Sequence, residues 1–257
     1  MTPATAPVLE IKGLAKSFGS VSALSHVDLA AYPGELHAIV GDNGAGKSTL
    51  IKIITGLHSG DSGEIWLSGE QVGLKHAAAD AYGLGIAVVY QDLALVECLD
   101  IAANMAIGNL PRRFGVLLDK RRMDREAAKV LKDLNVRVGD VRTPVGLLSG
   151  GQRQVVAIAR AIRMDKPVVL LDEPTAALGV RESIQVGDML NELKNAGKTV
   201  VTVSHDLEFV FKHADRITVL RLGETVGTRV VRETTRDEII GMITGLMPSD
   251  RAKVGTA

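Results

Sequence analysis

The chain has 257 residues, of which 46% are hydrophobic, so it can form one large domain or two modest ones around a substantial core. Thirty basic residues balance thirty acidic ones, and this zero net charge provides no global field that would attract a nucleic acid or an anionic membrane. No apolar run approaches the length of a membrane span, and the first seven residues lack the basic and apolar regions of a signal peptide. We therefore expect a soluble globular protein that does not bind nucleic acid.

The first elements that the sequence predicts are short strands. Residues 8–11 and 21–29 alternate between apolar and polar, and a turn at residues 32–35 leads into a largely apolar strand, Leu36–Val40. Phe18 lies between the first two strands, where an aromatic ring could stack on a purine, although a core position is the alternative for this residue type. These pieces predict a small β-layer beside a nucleotide site.

A glycine-rich stretch after the strand Leu36–Val40 fits the phosphate-binding pattern G-x-x-x-x-G-K-[ST] without exception. Its glycines allow successive amide hydrogens to point at one anion, and the helix that follows adds its positive N-terminal charge. Lys47 would contact the β- and γ-phosphates of a nucleotide, and the Ser48 hydroxyl would bind Mg²⁺. The flanking strand and helix disfavour the alternative of a turn without a ligand. The nucleotide-binding residues predicted in this loop are Gly41, Asp42, Asn43, Gly44, Ala45, Gly46, Lys47, Ser48 and Thr49.

The middle of the chain changes character after an apolar strand at residues 85–90. From residue 92 to residue 165 the composition favours helices joined by basic, Gly- and Pro-containing segments, which predicts an inserted helical subdomain. Its last helix has apolar residues on a helical period from residue 153 to residue 164, and Ser149 stands where an N-cap belongs. Cys98, the single cysteine, cannot form an internal disulfide, which is typical of a reducing cytoplasm, and we expect it to be a buried small hydrophobe.

Strands alternate with helices in the last third of the chain, which predicts a mostly parallel sheet. Residues 167–171 and 199–203 are apolar strands, and a helix at residues 181–196 lies between them and ends at Gly197. A hairpin at residues 217–220 and 224–227 and a loose tail from residue 249 follow. No internal repeat is present, so we expect a single nucleotide-binding unit.

Two adjacent carboxylates end the strand at residues 167–171, and the carboxyl edge of such a sheet is where ligands bind. Asp172 is placed to hold Mg²⁺, and Glu173 is placed to polarise an attacking water as a general base. The alternative is an acidic strand terminus that caps Thr175 or a nearby helix, and the P-loop earlier in the chain argues against it.

These motifs, in this order, resemble the ATP-binding subunits of ABC transporters over nearly the whole chain. The signature sequence of that family, LSGGQ, stands at Leu148, Ser149, Gly150, Gly151 and Gln152. The resemblance places Gln91 at the Q-loop as a catalytic and metal-binding residue, His205 at the switch histidine that contacts the γ-phosphate, and Phe18 where an aromatic ring stacks on adenine. It implies ATP and Mg²⁺ as cofactors, with Ser48, Gln91 and Asp172 as metal ligands.

The resemblance also implies an α/β fold, a RecA-like P-loop NTPase with a mostly parallel core sheet, an N-terminal antiparallel β-layer and the helical subdomain. One domain would span residues 1–257, with its ATPase core at 8–91 and 166–245 and its helical subdomain at 92–165. Two copies would close head to tail, so that each ATP lies between the P-loop of one copy and the signature of the other. Gly179 departs from the family, which usually has aspartate at this position of the D-loop.

Parts of the chain around Glu173, Gln91 and Asn104 resemble the ribose, xylose and fructose type of bacterial sugar importer. The resemblance implies a homodimer on the cytoplasmic face of the cell membrane, working with a separate membrane permease and an external sugar-binding protein to import a pentose or a hexose such as fructose. The alternatives are an exporter ATPase and a soluble ABC ATPase that acts on nucleic acid. We expect the permease to dock on residues 91–107, although Leu93, Leu95 and Val96 could instead belong to the core of the helical subdomain.

Overall fold

In a computed structural model of the chain, the structure describes residues 6–75, 83–113, 116–134, 136, 139–176 and 178–250. The strands are β1 (Leu9–Phe18), β2 (Val21–Ala31), β3 (Leu36–Val40), β4 (Ser62–Leu67), β5 (Glu70–Val72), β6 (Ile86–Val89), β7 (Arg112–Arg113), β8 (Leu117–Leu118), β9 (Val168–Asp172), β10 (Thr199–Val203), β11 (Arg216–Arg221) and β12 (Glu224–Val230). The α-helices are α1 (Lys47–Ile54), α2 (Ile101–Ala106), α3 (Lys120–Asp133), α4 (Gly150–Arg163), α5 (Val180–Asn195), α6 (Leu207–His213) and α7 (Arg236–Thr244).

Within the described residues, one large sheet has the strand order β5-β4-β1-β2-β12-β11-β3-β10-β9-β6. Its central strands β11, β3, β10, β9 and β6 are parallel. All residues of β3, β9 and β10 are buried, as expected for strands that are covered on both faces and read as continuous apolar runs. The structure therefore confirms the predicted α/β fold with a mostly parallel sheet.

The N-terminal strands form an antiparallel layer that continues this sheet, since β1 pairs with both β2 and β4. β1 is longer than the sequence indicated and ends at Phe18. The Phe18 side chain is 45% exposed, so the alternative of a core position for this residue is wrong.

The helices α2, α3 and α4 lie between β6 and β9 in the chain and pack on one another through buried residues such as Met105, Met123 and Val155. This region also contains the short antiparallel pair of β7 and β8, which the helical pattern did not predict. Cys98 precedes α2 and is exposed, so the expectation of a buried cysteine is wrong.

The last part of the chain contains two helices, α6 and α7, that the sequence analysis did not identify. Asp206 accepts a hydrogen bond from the amide of Phe209 and caps α6, and Thr235 caps α7 in the same way. Asp250, expected in a loose tail, accepts hydrogen bonds from both terminal nitrogens of Arg229 at 2.7 and 3.0 Å. The remainder of that predicted tail, residues 251–257, lies outside the described residues. Among the helices that are described, none is both long and apolar enough to cross a bilayer.

Candidate nucleotide-binding site

The glycine-rich loop connects β3 to α1 and closes tightly because two of its glycines have no room for a side chain. A Cβ on Gly41 would collide with the carbonyl oxygen of Leu220 on the neighbouring strand. A Cβ on Gly46 would lie 2.7 Å from the carbonyl oxygen of Ala23, and Gly46 has a φ of +101°. Only glycine allows the backbone to approach its neighbours this closely in this conformation. The loop therefore presents its amides directly before the N-terminus of α1, which is an anion-binding arrangement.

Lys47 is the first residue of α1, and its side chain turns back into the loop. Its Nζ donates hydrogen bonds to the carbonyl oxygens of Gly41 and Asp42 at 2.7 and 2.9 Å, and the side chain is only 6% exposed. Burial lowers the pKa of Lys47, while the nearby carboxylates of Glu173, Asp42 and Asp172 act in the opposite direction. A buried ammonium group held at the mouth of an amide-lined loop is suited to binding phosphate.

The register of the parallel sheet brings the other predicted residues to the same edge. Val203 of β10 lies opposite both Ile39 of β3 and Asp172 of β9, and Val89 of β6 lies opposite Leu171. The P-loop, Gln91, Glu173 and His205 therefore leave these four strands at one end of the sheet. Parallel sheets bind their ligands at this carboxyl edge.

Asp172 is buried beside the start of α1. Burial and the charge of Glu173 raise its pKa, whereas Lys52, Lys47 and a hydrogen bond from the Ser48 side chain lower it. One of its carboxylate oxygens, Oδ1, has no hydrogen-bond partner among the described residues although it is fully buried. A buried carboxylate oxygen without a partner, beside a serine hydroxyl, fits a bound Mg²⁺ ion.

Mg²⁺ usually binds through one or two protein oxygens together with waters and phosphate oxygens, not in a cage made only of side chains. The described residues contain no group of three His, Cys, Asp or Glu side chains placed to hold a metal. Gln91, the third predicted ligand, is exposed at the same sheet edge.

Glu173 and His205 form the polar wall of the site. Glu173 Oε1 lies 3.4 Å from His205 Nδ1, and the two side chains border a cavity of about 440 Å³ together with Gly41, Asp42 and Asn43. Glu173 has a φ of +51°, an unfavourable conformation for a residue with a side chain, and its amide donates to the carbonyl oxygen of Val203 at 3.0 Å. Such conformations cluster at functional sites, where they direct a side chain into the cavity.

The signature sequence lies at the start of α4, where Ser149 is the N-cap as predicted. Ser149 Oγ accepts a hydrogen bond from the Gln152 amide at 3.2 Å, and the Gln152 side chain accepts one from the Ser149 amide at 3.0 Å. Leu148 anchors the segment in the core, while Ser149 and Gly150 are exposed. None of these residues lines the cavity beside Gly41, Asp42 and Asn43.

Phe18 does not line the cavity beside Gly41, Asp42 and Asn43. Its ring contacts the ring of His58 edge-on, with centroids 5.3 Å apart, and Lys16 Nζ lies 5.3 Å from the Phe18 centroid. The half-exposed ring is therefore accessible to a planar ligand, and its contact with adenine stays a prediction.

The sequence analysis did not identify two residues, Tyr90 and Arg160, as part of the surroundings of Gln91. Burial raises the pKa of the neighbouring Tyr90, which also shares a side-chain hydrogen bond with Thr55 at the end of α1. Arg160 of α4 donates hydrogen bonds to the backbone just after Gln91. No local motif marks either residue, because each contacts a segment that is distant in sequence.

A tight glycine loop between a buried strand and a helix, a buried lysine inside it and two carboxylates at the carboxyl end of β9, one strand removed from β3, define this molecule as a P-loop NTPase. A family model described as ABC transporter matches residues 24–176, so the chain belongs to the ABC transporter family of ATP-binding proteins.

Curated relatives with sequence similarity are ATP-binding proteins of sugar import. The ribose import ATP-binding protein RbsA 1 of Rubrobacter xylanophilus is 45% identical over 239 residues, which cover 93% of this chain and 47% of that protein. The fructose import ATP-binding protein FrcA of Rhizobium meliloti is 39% identical over 255 residues, which cover 96% of this chain and 98% of that protein. The chain thus spans about half the length of its ribose-import relatives and nearly all of the fructose-import relative.

Solved structures of ABC cassettes share the fold. The ATP-binding cassette MJ1267 matches with a TM-score of 0.82 at 26% identity, covering 93% of this chain and 99% of that one. The ATP-binding cassette MJ0796, solved as a dimer after hydrolysis with ADP and phosphate bound, matches with a TM-score of 0.76 at 29% identity, covering 88% of this chain and all of that one.

Proposed function

We propose that this chain is the ATP-hydrolysing subunit of a bacterial importer, which drives the uptake of a monosaccharide through a separate membrane permease. The observation that carries the proposal is the single sheet edge at which Lys47, Asp172, Glu173 and His205 meet. A phosphate-binding cation, a metal-binding carboxylate and a candidate base beside a histidine are the parts that phosphoryl transfer to water requires.

In this mechanism the loop amides and Lys47 hold the β- and γ-phosphates of ATP, and the Phe18 ring stacks on the adenine. Ser48 and Asp172, with Gln91, would hold Mg²⁺, which when bound neutralises negative charge that develops on the phosphates. Glu173 accepts the proton of the attacking water, and the neighbouring His205 contacts the γ-phosphate and orients that water.

The exposed signature supports a dimer in which ATP forms part of the interface. Ser149 and Gly150 lie outside the P-loop cavity of their own chain, at a helix start whose amides suit a phosphate. A second copy, turned head to tail, would bring its signature onto the γ-phosphate bound by the first. Hydrolysis then removes the group that both copies hold, and the dimer opens.

Sugar import is supported by the relatives, above all by the fructose import protein that matches along almost its entire length. We infer a pentose or a hexose such as fructose as the transported sugar, an integral-membrane permease and an external sugar-binding protein as partners, and the cytoplasmic face of the cell membrane as the location. No observation favours an exporter or a nucleic-acid-directed ATPase over this proposal.

Uptake of labelled sugars by a strain that lacks this chain tests the proposal. We expect uptake of at least one of ribose, xylose and fructose to fall, and to return when the wild-type chain is supplied but not when Glu173→Gln is supplied. Uptake of all three sugars at the parental rate would overturn the assignment to this group of sugars.

A further inference from the structure

The short strands β7 and β8 expose apolar side chains on both of their faces. Leu117 and Leu118 of β8 are 63% and 45% exposed, and neighbouring residues of a strand point to opposite faces. Leu110 and Val116, which lie close before the two strands, are 49% and 81% exposed. Single exposed apolar residues are common, but four within nine residues of the chain indicate a surface that contacts a partner.

Each leucine of β8 lies beside an arginine of β7. The register of the antiparallel pair places Arg112 opposite Leu118 and Arg113 opposite Leu117. Residues directly opposite each other share a face, so each face of the pair carries one arginine and one leucine. An arginine has an apolar stem and a charged head, and beside a leucine it suits a boundary between an apolar phase and water.

Helix α3 adds further positive charge directly after β8. Asp119 joins the two elements: its amide donates to the carbonyl oxygen of Pro111 at 2.9 Å, and its side chain accepts a hydrogen bond from the Arg122 amide at 3.0 Å. The helix therefore begins without an intervening loop. Its first residues, Lys120 and Arg121, are exposed next to the strands.

Arg121 and Arg125 lie on the side of α3 that faces away from the core. They are four residues apart and share one side of the helix, whereas Met123 and Ala127 are buried on the other. In the part of the chain that the structure describes, no salt bridge joins Lys120, Arg121 or Arg125 to an acid. Like charges at this spacing repel each other, and a bound anion would remove that repulsion.

The acidic residues near these arginines have other partners. Asp124 accepts a hydrogen bond from Arg142 at 2.9 Å, and Glu126 accepts one from Arg163 at 2.6 Å. Residues 110–125 contain six basic and two acidic side chains, whereas the whole chain has no net charge. The positive charge is therefore concentrated on this surface.

We propose that this surface, the basic–apolar patch formed by β7, β8 and residues 120–125, binds the anionic phospholipid surface of a membrane. The lysine and arginine heads contact the headgroup phosphates, and Leu117 and Leu118 enter the boundary with the acyl chains. Clusters of about four to eight Lys and Arg residues with adjoining apolar side chains are typical of such peripheral membrane contacts.

The apolar side chains favour a membrane over a nucleic acid as the anionic partner. Leucine and valine cannot stack on bases as aromatic rings do, whereas an acyl boundary accepts them. The patch also adjoins residues 91–107, which the proposed function assigns to the permease, since α2 packs on α3 through Met105 and Met123. Lipid binding goes beyond that function because it requires neither permease nor nucleotide.

Flotation of the purified chain with phospholipid vesicles tests the proposal. We expect the chain to float with vesicles of equal parts phosphatidylcholine and phosphatidylglycerol, and to stay in the soluble fraction with phosphatidylcholine alone. Salt at about 1 M should release it, because charges are then screened within about 3 Å. A chain that does not float, or that floats equally well with both kinds of vesicle, would contradict the proposal.

Charge removal at matched positions shows whether the patch itself binds. Arg121→Gln/Arg125→Gln should weaken binding to the anionic vesicles about 25-fold, since each Lys or Arg near such a surface contributes about fivefold. Arg232→Gln/Arg236→Gln is the control, because it removes two exposed arginines at the same spacing outside the patch, and it should bind as the wild type does. Equal losses in both variants would mean that only the overall charge matters and would overturn the proposal.

The leucines are tested separately. Leu117→Ser/Leu118→Ser should weaken vesicle binding and leave its salt dependence unchanged, because only apolar contact is removed. Cys98 is the only cysteine, so an environment-sensitive fluorophore can be placed on Leu117→Cys or on the exposed Leu246→Cys in a Cys98→Ser background. Anionic vesicles should shift the emission of the first label to shorter wavelength and leave the second unchanged.

Three further results would overturn the proposal: full vesicle binding by the leucine variant, equal spectral shifts at both labels, or binding of duplex DNA or single-stranded RNA as tight as binding of the vesicles. Thermal unfolding of every variant checks the fold and should show no change, since all the substituted side chains are exposed. Normal sugar uptake without vesicle binding would refute this inference alone, and vesicle binding without any role in uptake would refute only the proposed function.

Discussion

Lys47 is the residue on which we expect phosphate binding to depend most, because its ammonium group is buried inside the phosphate-binding loop, residues 41–49. We expect Lys47→Ala to weaken MgATP binding by about 10- to 100-fold, since a hydrogen bond to a charged group contributes about 1.5–3 kcal/mol. Isothermal titration of the purified variant measures this change. Lys52→Ala, on the same helix but with an exposed side chain, is the control and should bind ATP as the wild type does.

An unchanged ATP affinity in Lys47→Ala would contradict the assignment of residues 41–49 as the phosphate-binding loop. A loss of affinity in Lys52→Ala of equal size would instead indicate that any positive charge on α1 suffices, and that the geometry of the loop is not specific.

Residues within a contiguous motif were predictable from the sequence because their function depends on local backbone geometry. Gly41 and Gly46 need conformations or close approaches that only glycine tolerates. Glycine therefore has to occur at fixed positions of the motif, where it can be recognised in the sequence. The exposure of Phe18 and Cys98 depends on which distant elements cover them, and the sequence analysis gave the wrong expectation for Cys98. Arg160 bonds residues that lie 66 and 67 positions away, so no spacing rule could have identified it.

At the scale of elements, the apolar run after Gln91 contains one residue that packs in the core and one that is free to contact a partner. The sequence alone could not tell these two residues apart. Leu95 is partly buried and packs against the main core, whereas Val96 is 41% exposed. The alternative that this run packs the core of the helical region thus applies to Leu95, and the docking hypothesis applies to Val96.

We expect Val96→Asp to retain ATP binding and to change stability by no more than about 0.5 kcal/mol, as is usual for a surface substitution, while sugar uptake is lost. Leu95→Asp should lower the melting temperature, because it places a charge against the core. Uptake assays and thermal unfolding of both variants measure these effects, with Leu246→Asp, at an 85% exposed position after α7, as the control. Normal uptake in Val96→Asp would argue against docking at this residue.

The contact between α5 and α6 makes stability depend on pH. His213 of α6 is buried, and its Nδ1 lies 3.1 Å from the side-chain nitrogen Nδ2 of Asn191 on α5. Burial lowers the pKa of His213, Lys212 and Lys194 lower it further, and Asp188 acts in the opposite direction. Because the unfolded chain binds this proton more readily than the folded one, stability is lost as the pH falls through the unfolded pKa of about 6.5.

Urea unfolding between about pH 7.5 and about pH 5.5 should therefore show a free energy of unfolding that falls toward acid, and His213→Gln should flatten this slope. The pKa of Glu35 is also lowered: burial raises it, but His37 and the Tyr32 amide outweigh burial, so its contribution is lost only below about pH 4.3. The two effects are thus separated by their pH ranges. An identical slope in the wild type and in His213→Gln would contradict this explanation.

At the scale of the whole molecule, the sheet assembles its site from four separate chain segments that lie between residues 41 and 205. The alternation of strands and helices was enough to predict that these segments end at one edge, because parallel strands share a direction. It could not predict the helices α6 and α7, which are short or weakly amphipathic and begin at single polar caps.

The central claim is that ATP is held between the P-loop of one copy and the signature of another. Analytical ultracentrifugation of Glu173→Gln with MgATP, compared with the double variant Glu173→Gln/Ser149→Arg, tests it most directly. Glu173→Gln binds ATP but cannot accept the proton of the water, so it should sediment as a dimer only when ATP is present. Adding Ser149→Arg should leave ATP binding intact and yield a monomer, because the arginine would occupy the position of the partner's γ-phosphate. A dimer that forms equally well with the arginine, or a single variant that stays monomeric while saturated with ATP, would contradict the claim.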